Sequence, residues 1–386
     1  MDPARQPLRL AKAFYFLYYA AWASLVPFLA LYYQSLGFAG AQIGLLASIS
    51  PLTTLFAAPF WGGLADATHR HKAVMLAAIV GAGLAVMGLS QTRSFALLAG
   101  IVVLYAFFAA PIIPLLDNTV LALLGDRRDR YGAQRLWGAI GWGLSGPVAG
   151  ALVERLGISW AFSVYLTLLV LVLIPALRLP IAPAARPSPY WSGMRRLLAD
   201  RRWFIFLFVA FVSGSGLSVI SNYLFLYLDQ LNASRTVMGL ALTVATLSEI
   251  PVLFFSGRML RRWGPRGLLM FSLAASVMRA YLYAAATEPW QALLIQLFHG
   301  LTFSTMWVAG VSFAGEIAPP GLGGTAQGMF TSTVMGLGGI SGALAGGILL
   351  DRVGASGMYF WSGTAVLVGL LVFTLFGRLG QPRQNE

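Results

Sequence analysis

The sequence predicts an all-α membrane protein of twelve transmembrane helices arranged as two parallel six-helix repeats. Three observations carry that prediction. The chain is 58% hydrophobic and only 10% charged, whereas soluble domains are about a quarter charged, so most of its surface faces something other than water. Its apolar residues fall into runs of the length, about 20 residues, that crosses a bilayer as a helix. Short motifs also recur about half a chain apart, at the same place relative to the runs.

The runs predict helices over 12–35, 42–65, 73–91, 94–124, 133–154, 159–178, 202–229, 235–260, 266–286, 290–316, 323–350 and 357–377. The first follows Arg5, Arg9 and Lys12. It is too long for the apolar core of a signal peptide and lacks a clear small-residue cleavage site, so it reads as a retained span. Gly37, Pro180, Pro183, Pro187, Pro189, Pro319 and Pro320 fall between runs or at their edges, where helix breakers belong. The segment 179–201, rich in Pro, Ala and Arg, is the one long gap. It divides the chain into an N-terminal half (1–178), a linker and a C-terminal half (202–386).

Lys and Arg set the orientation, because they concentrate on the cytoplasmic side. With the N-terminus inside, 21 of the 26 basic residues lie in cytoplasmic segments, among them Arg70, Lys72, Arg127, Arg128, Arg130, Arg135, Arg186, Arg196, Arg378 and Arg383. The outside holds Arg93, Arg155, Arg235 and Arg352, and Arg279 falls within a helix. Both termini and the linker are therefore expected in the cytoplasm, with the chain in a cell (inner) membrane. The net charge of +13 is a topology signal here rather than a nucleic-acid footprint.

The repeat is explicit. Gly143-Leu-Ser-Gly-Pro-Val-Ala-Gly150 precedes Glu154-Arg155-Leu-Gly157, and Gly339-Ile-Ser-Gly-Ala-Leu-Ala-Gly346 precedes Asp351-Arg352-Val-Gly354. Gly62-xxx-Asp66 has its counterpart in Gly257-xxx-Arg261. Gly146-xxx-Gly150 and Gly342-xxx-Gly346 read as small-residue faces for close helix packing. The string Gly141-Trp-Gly143-Leu-Ser-Gly146 fits a dinucleotide fingerprint, but it lies inside a spanning helix with no preceding strand, so it is structural.

Several chemistries are absent. There is no cysteine, hence no disulfide and no thiol-ligated metal. No Walker loop, zinc motif, HxxxD pair or nucleophile elbow occurs, so neither an enzyme nor a cofactor or metal is expected. A receptor would usually carry an added soluble signalling domain, and none is seen.

The informative residues are ionisable groups inside spans: Asp117, Glu249, Arg279 and His299, with Arg135 at a helix start. Facing lipid, each is unfavourable by roughly 2.5–3.5 kcal/mol. They should therefore face a cavity or one another, either as interhelical salt bridges or as a polar substrate and proton site. Of the deeper aromatics Trp142, Tyr15, Tyr19, Tyr223 and Trp307, Trp142 stands out, because it lies seven residues after Arg135 on the same helix face. Trp290 and Trp361 sit near span ends, as interface anchors do. Asp66 is placed to cap a helix or pair with a basic residue at a cytoplasmic gate.

These residues resemble the major facilitator superfamily, whose loop motif is matched by Gly62, Asp66 and Arg70, with His69 where that motif has glycine. The second copy has Arg261 in the Asp place and keeps Arg262 and Gly264. Within the superfamily, Arg130-Tyr-Gly-Ala-Gln-Arg135-Leu-Trp-Gly-Ala-Ile-Gly-Trp142 resembles the lactose permease (oligosaccharide:proton symporter) group. Thr246-Leu-Ser-Glu249-Ile-Pro251 and Phe298-His-Gly-Leu-Thr-Phe303 are similar to its phenylpropionate-permease-like branch. The resemblance implies the major facilitator fold, with substrate held between the halves by Asp117, Arg135, Trp142, Arg279 and His299. It implies proton coupling through Glu249, Asp117 or His299, and gating at Gly62, Asp66 and Arg70. The group's helix 10 acid is Thr302 here, which leaves the proton to Glu249 or Asp117, or makes the protein a uniporter.

The expected function is import of a small polar organic solute (a sugar, nucleoside or aromatic carboxylate) by proton symport and alternating access. Drug or metabolite efflux by proton antiport is the alternative. The expected partners are substrate, protons and the bilayer, with a monomer as the functional form.

Overall fold

The computed structural model describes residues 5–181, 194–195, 197–319 and 321–376. Most of the predicted linker, with Pro183, Pro187, Pro189, Arg186 and Arg196, lies outside them, as do Pro320, Arg378 and Arg383. Among the described residues there is no strand, and ten helices are long and apolar enough to cross a membrane. They are α1 (Gln6–Ser35), α2 (Gly40–Thr68), α3 (His71–Gln91), α4 (Phe95–Leu124), α5 (Tyr131–Leu156), α6 (Trp160–Arg178), α7 (Arg201–Gln230), α8 (Arg235–Ala285), α9 (Pro289–Ile317) and α10 (Gly323–Leu375).

Two departures from the predicted boundaries have a common cause. The predicted helices 235–260 and 266–286 run on as α8, broken only at Gly264 (φ 66°, ψ 167°). The predicted helices 323–350 and 357–377 likewise run on as α10, broken at Gly354 (φ 70°, ψ 179°). That backbone region is open essentially to glycine alone, so one residue turns the chain where the hydropathy pattern had suggested a short loop. Gly157, after α5, takes the same conformation (φ 94°, ψ 164°). α4 is also divided, into Phe95–Ala109 and Ile112–Leu124. Pro111 sits at that division and has no amide proton for the helical ladder.

The helices present apolar side chains outward, as a bilayer requires. Phe56, Phe204, Phe254 and Leu375 are all more than half exposed. The described residues divide into two compact units, one drawn from Met1–Arg186 and Phe225–Thr246, the other from Pro187–Leu224 and Leu247–Glu386. The end of α7 and the start of α8 thus pack with the first unit.

In the first unit, glycines set the helix crossings. A Cβ at Gly141 would overlap the backbone of Phe16, one at Gly146 would overlap Gly239, and one at Gly150 would overlap Arg235. The string that imitates a nucleotide-binding loop is therefore a packing face of α5. Ser145 Oγ donates to Ala20 O at 2.8 Å across the α1–α5 contact. At the start of α8, Glu154 of α5 accepts from the Thr236 amide (3.0 Å) and from its hydroxyl (2.5 Å). This satisfies a donor that a helix start leaves open.

The core of the second unit is aromatic. Phe206 and Phe330 stack at 5.5 Å, and Trp203, wholly buried, donates its indole N–H to Ile317 O at 3.3 Å. Trp307 packs on Phe330 at 5.6 Å, and Tyr223 is buried with its hydroxyl donating to Ala343 O. A Cβ at Gly342 would overlap the Ser215 carbonyl, and one at Gly346 would press on the Tyr223 ring. The predicted glycine pair of α10 is thus a packing face too.

Candidate functional site

The ionisable residues inside the spans form two clusters, one in each unit. In the first unit, α4 supplies Asp117, α5 supplies Arg135 and Trp142, and α1 faces both. Arg135 Nη1 lies 3.2 Å from Asp117 Oδ2 and donates to Tyr131 OH at 3.0 Å, while its Nη2 donates to Tyr19 OH at 3.3 Å. Tyr15 OH donates to the other Asp117 oxygen. The acid is thus held from both sides, and its arginine is clamped by two phenols. The Arg135 side chain is 47% exposed and that of Asp117 is 20% exposed, so the pair is open to a ligand. With five N–H donors, the guanidinium has more to offer than these acceptors use.

Beside the pair runs an aromatic wall. Tyr19 meets Trp22 edge-on at 6.0 Å, and Trp22 meets Trp142 edge-on at 5.9 Å. The predicted trio Asp117, Arg135 and Trp142 is thus linked through Tyr19 and Trp22 of α1. Trp22 and Tyr131 had not been singled out from the sequence. Tyr131 was within reach of helical periodicity, since it precedes Arg135 by four residues and such pairs are neighbours on a helix.

In the second unit, α8 supplies Glu249 and, beyond its break, Arg279; α9 supplies His299. His299 Nε2 lies 3.4 Å from Glu249 Oε1, and Ser304 Oγ donates to Glu249 Oε2 at 3.0 Å. On the other side of the imidazole, Arg279 Nη1 lies 3.1 Å from Nδ1 and donates to Thr302 Oγ1 at 2.9 Å. Arg279 Nη2 donates to Gln296 Oε1, and the guanidinium lies 5.7 Å from the Tyr283 ring centre. Arg279 is 1% exposed, whereas the side chains of His299 and Glu249 are 23% and 24% exposed. Thr302 is a neutral acceptor for that arginine. Phe303 stacks on the imidazole at 5.4 Å.

The backbone of α9 explains how these side chains converge. It is 3-10 over Gln296–Phe298 and π-helical over Gly300–Ser304. Five residues apart on an α-helix, His299 and Ser304 would point about 140° apart. The wider π turn brings both onto Glu249, and such turns are frequent at functional sites. A fixed 3.6-residue period could not reveal Ser304. Gly300 makes the crossing possible: its amide donates to Ser248 Oγ at 2.9 Å, and a Cβ there would overlap the Ser248 carbonyl.

The loop motif lies apart from both clusters. Asp66 pairs with the buried His71 at 2.9 Å, and Arg70 is exposed. Nothing lies within 4 Å of where a Gly62 Cβ would be. Lys72 Nζ donates to Leu177 O, 2.5 Å away at the end of α6. His69, the residue that departs from the motif, has φ 54° and ψ 22°.

Among the described residues the fold is helical, and each unit carries one cluster of ionisable side chains within its spans. The chain belongs to the MFS_1 like family, whose model matches residues 8–361. It is 29% identical to a maltose permease of Geobacillus stearothermophilus, over 95% of this chain and 93% of that one. It is 26% identical to the uncharacterized transporter YwbF of Bacillus subtilis, over 93% and 90% respectively. Its fold is similar to that of the crystal structure of the nucleoside transporter NupG (TM-score 0.86, 18% identity, covering 97% of this chain and 100% of that chain). The protein is a multi-pass membrane protein and a secondary transporter of the major facilitator type, acting on a small molecule.

Proposed function

We propose that this protein imports a hydroxyl-rich solute bearing a ring, a sugar or nucleoside, by proton symport and alternating access. The observation that carries the reading is the Asp117–Arg135 pair beside the Trp22–Trp142 wall. A carboxylate and a guanidinium together accept from and donate to vicinal hydroxyls. A flat aromatic face suits the apolar side of a sugar or base. The maltose permease and NupG carry the corresponding substrate names, and both favour this class over an aromatic carboxylate. Glu249 is the proton seat, His299 its partner on the ligand side, and Arg279 supports both.

In this reading the breaks at Gly264 and Gly354 divide the two longest helices, giving twelve spans in two parallel six-helix repeats. The shared conformation of Gly157 and Gly354, which follow matching strings, supports the repeat. Both termini are cytoplasmic, the membrane is the cell (inner) membrane, and the monomer is the functional form. Asp66 and Arg70, with Gly62, act at the cytoplasmic gate.

Uptake into proteoliposomes under an imposed pH gradient tests the proposal, with labelled maltose, uridine and an aromatic acid as candidate substrates. Accumulation of maltose or uridine that collapses with a protonophore is expected. Equilibration without accumulation would mean a uniporter. Loss of preloaded solute driven by an inward proton gradient would mean efflux.

A further inference from the structure

We infer that Arg279 is a positioning residue that fixes His299 as the neutral Nε2–H tautomer, so that within this pair Glu249, and not the histidine, takes the proton. The inference deepens the reading above, on which the coupling role rests.

The argument begins with donors and acceptors. A guanidinium has only N–H donors. Arg279 Nη1, 3.1 Å from His299 Nδ1, can therefore only donate, and Nδ1 must be the bare, accepting nitrogen. A neutral imidazole carries one proton, which then sits on Nε2. That atom faces Glu249 Oε1 at 3.4 Å, where a donor is wanted. The two ends of the ring are thus assigned by their neighbours, without freedom to exchange.

A second proton would have to enter at Nδ1, between the ring and a cation. That requires Arg279 to withdraw, and its surroundings oppose withdrawal. It is 1% exposed, its Nη2 is taken by Gln296, its Nη1 also holds Thr302 at 2.9 Å, and the guanidinium lies against the Tyr283 ring. The charged groups against the imidazole are Glu249 from the first part of α8 and Arg279 from the second. Phe303 covers a ring face and carries no charge. Histidine is therefore a fixed donor here, and the carboxylate is the group whose protonation can change.

The arrangement also accounts for Thr302. An acid there would pair with Arg279 directly. A hydroxyl keeps that contact neutral, and Glu249 meets the imidazole at the nitrogen opposite the arginine.

The test reads the ring nitrogens themselves. The full chain has three histidines. With imidazole-15N histidine, reconstituted in lipid vesicles, His299 is assigned by the signal lost in His299→Asn. The expected spectrum is the neutral Nε2–H form, unchanged from about pH 8 to about pH 5, where an ordinary histidine charges. In Arg279→Met the resonance is expected to become that of imidazolium on acidification, and Arg279→Lys, which keeps a donor, should restore most of the neutral form. A wild-type signal of the Nδ1–H form, or of imidazolium at neutral pH, overturns the inference, as does an Arg279→Met spectrum identical to wild type. Because the wild-type spectrum decides by itself, a variant that fails to fold does not spare the idea. An Nε2–H spectrum in a protein that does not couple to protons would overturn the proton-symport reading and leave the tautomer assignment standing.

Discussion

His69 and Gly264 stand 195 residues apart at matching places after the two motif glycines, Gly62 and Gly257, and both turn the backbone to positive φ, with different ψ. His69 lies in the left-handed helical well (ψ 22°), which histidine enters more readily than most residues. Gly264 lies near ψ 167°, a region closed to side chains. The difference explains why one copy of the motif dispenses with its glycine and the other keeps it. Gly264→Ala is expected to destabilise the protein by about 1–3 kcal/mol, although nothing lies within 4 Å of the added methyl. His69→Gly should change stability by well under that amount. Thermal unfolding in detergent ranks the two; equal effects would refute the account.

The open pair in the first unit makes its own prediction. Asp117→Asn removes the charge that Tyr15 and Arg135 both address. Loss of one charge-assisted bond, about 1.5–3 kcal/mol, weakens substrate affinity roughly 10–100-fold. Tyr131→Phe, which loosens one side of the arginine clamp, should weaken binding less, by roughly threefold to tenfold, in keeping with about 1 kcal/mol for a neutral bond. Equilibrium binding to purified protein checks both. A Tyr131→Phe effect larger than that of Asp117→Asn would assign the main contact to the phenol.

Glu249→Gln separates coupling from binding. The glutamine keeps the shape and can still accept from His299 and Ser304, but it cannot take a proton. Exchange of labelled for unlabelled substrate is expected to persist, while pH-driven accumulation is lost. Accumulation with an unchanged pH dependence in this variant would remove Glu249 from the coupling role.

The Glu154 carboxylate holds the start of α8 through Thr236. Glu154→Ala leaves that amide open and should loosen the α5–α8 contact. The chain has no cysteine, so a single introduced thiol reports without a background. Leu242→Cys, buried where α8 meets Gly146, should react several-fold faster with a water-soluble maleimide when Glu154→Ala is added. An unchanged rate would mean that the contact does not depend on the cap.

Much of the fold is written in hydropathy and in glycine spacing, because a bilayer admits few alternatives to apolar helices. The ionisable residues were legible for a related reason: a charge in a span is conspicuous and must have partners. The sequence marks Arg279 as a candidate ligand contact, and in the fold it is a buried neighbour of His299. Burial depends on how far a helix face turns from the opening, and a π segment such as Gly300–Ser304 alters that turn without leaving a compositional mark. Tyr131 was readable from its spacing to Arg135. Gln296 and Ser304 became recognisable only with the backbone in hand.

The crossing at Gly300 has a geometric consequence. With the α9 backbone seated against Ser248 so closely that a methyl group would not fit, any side chain at position 300 would drive apart the two strips of chain bearing Glu249 and His299. Their separation is set by backbone meeting backbone, like a caliper closed on its stop.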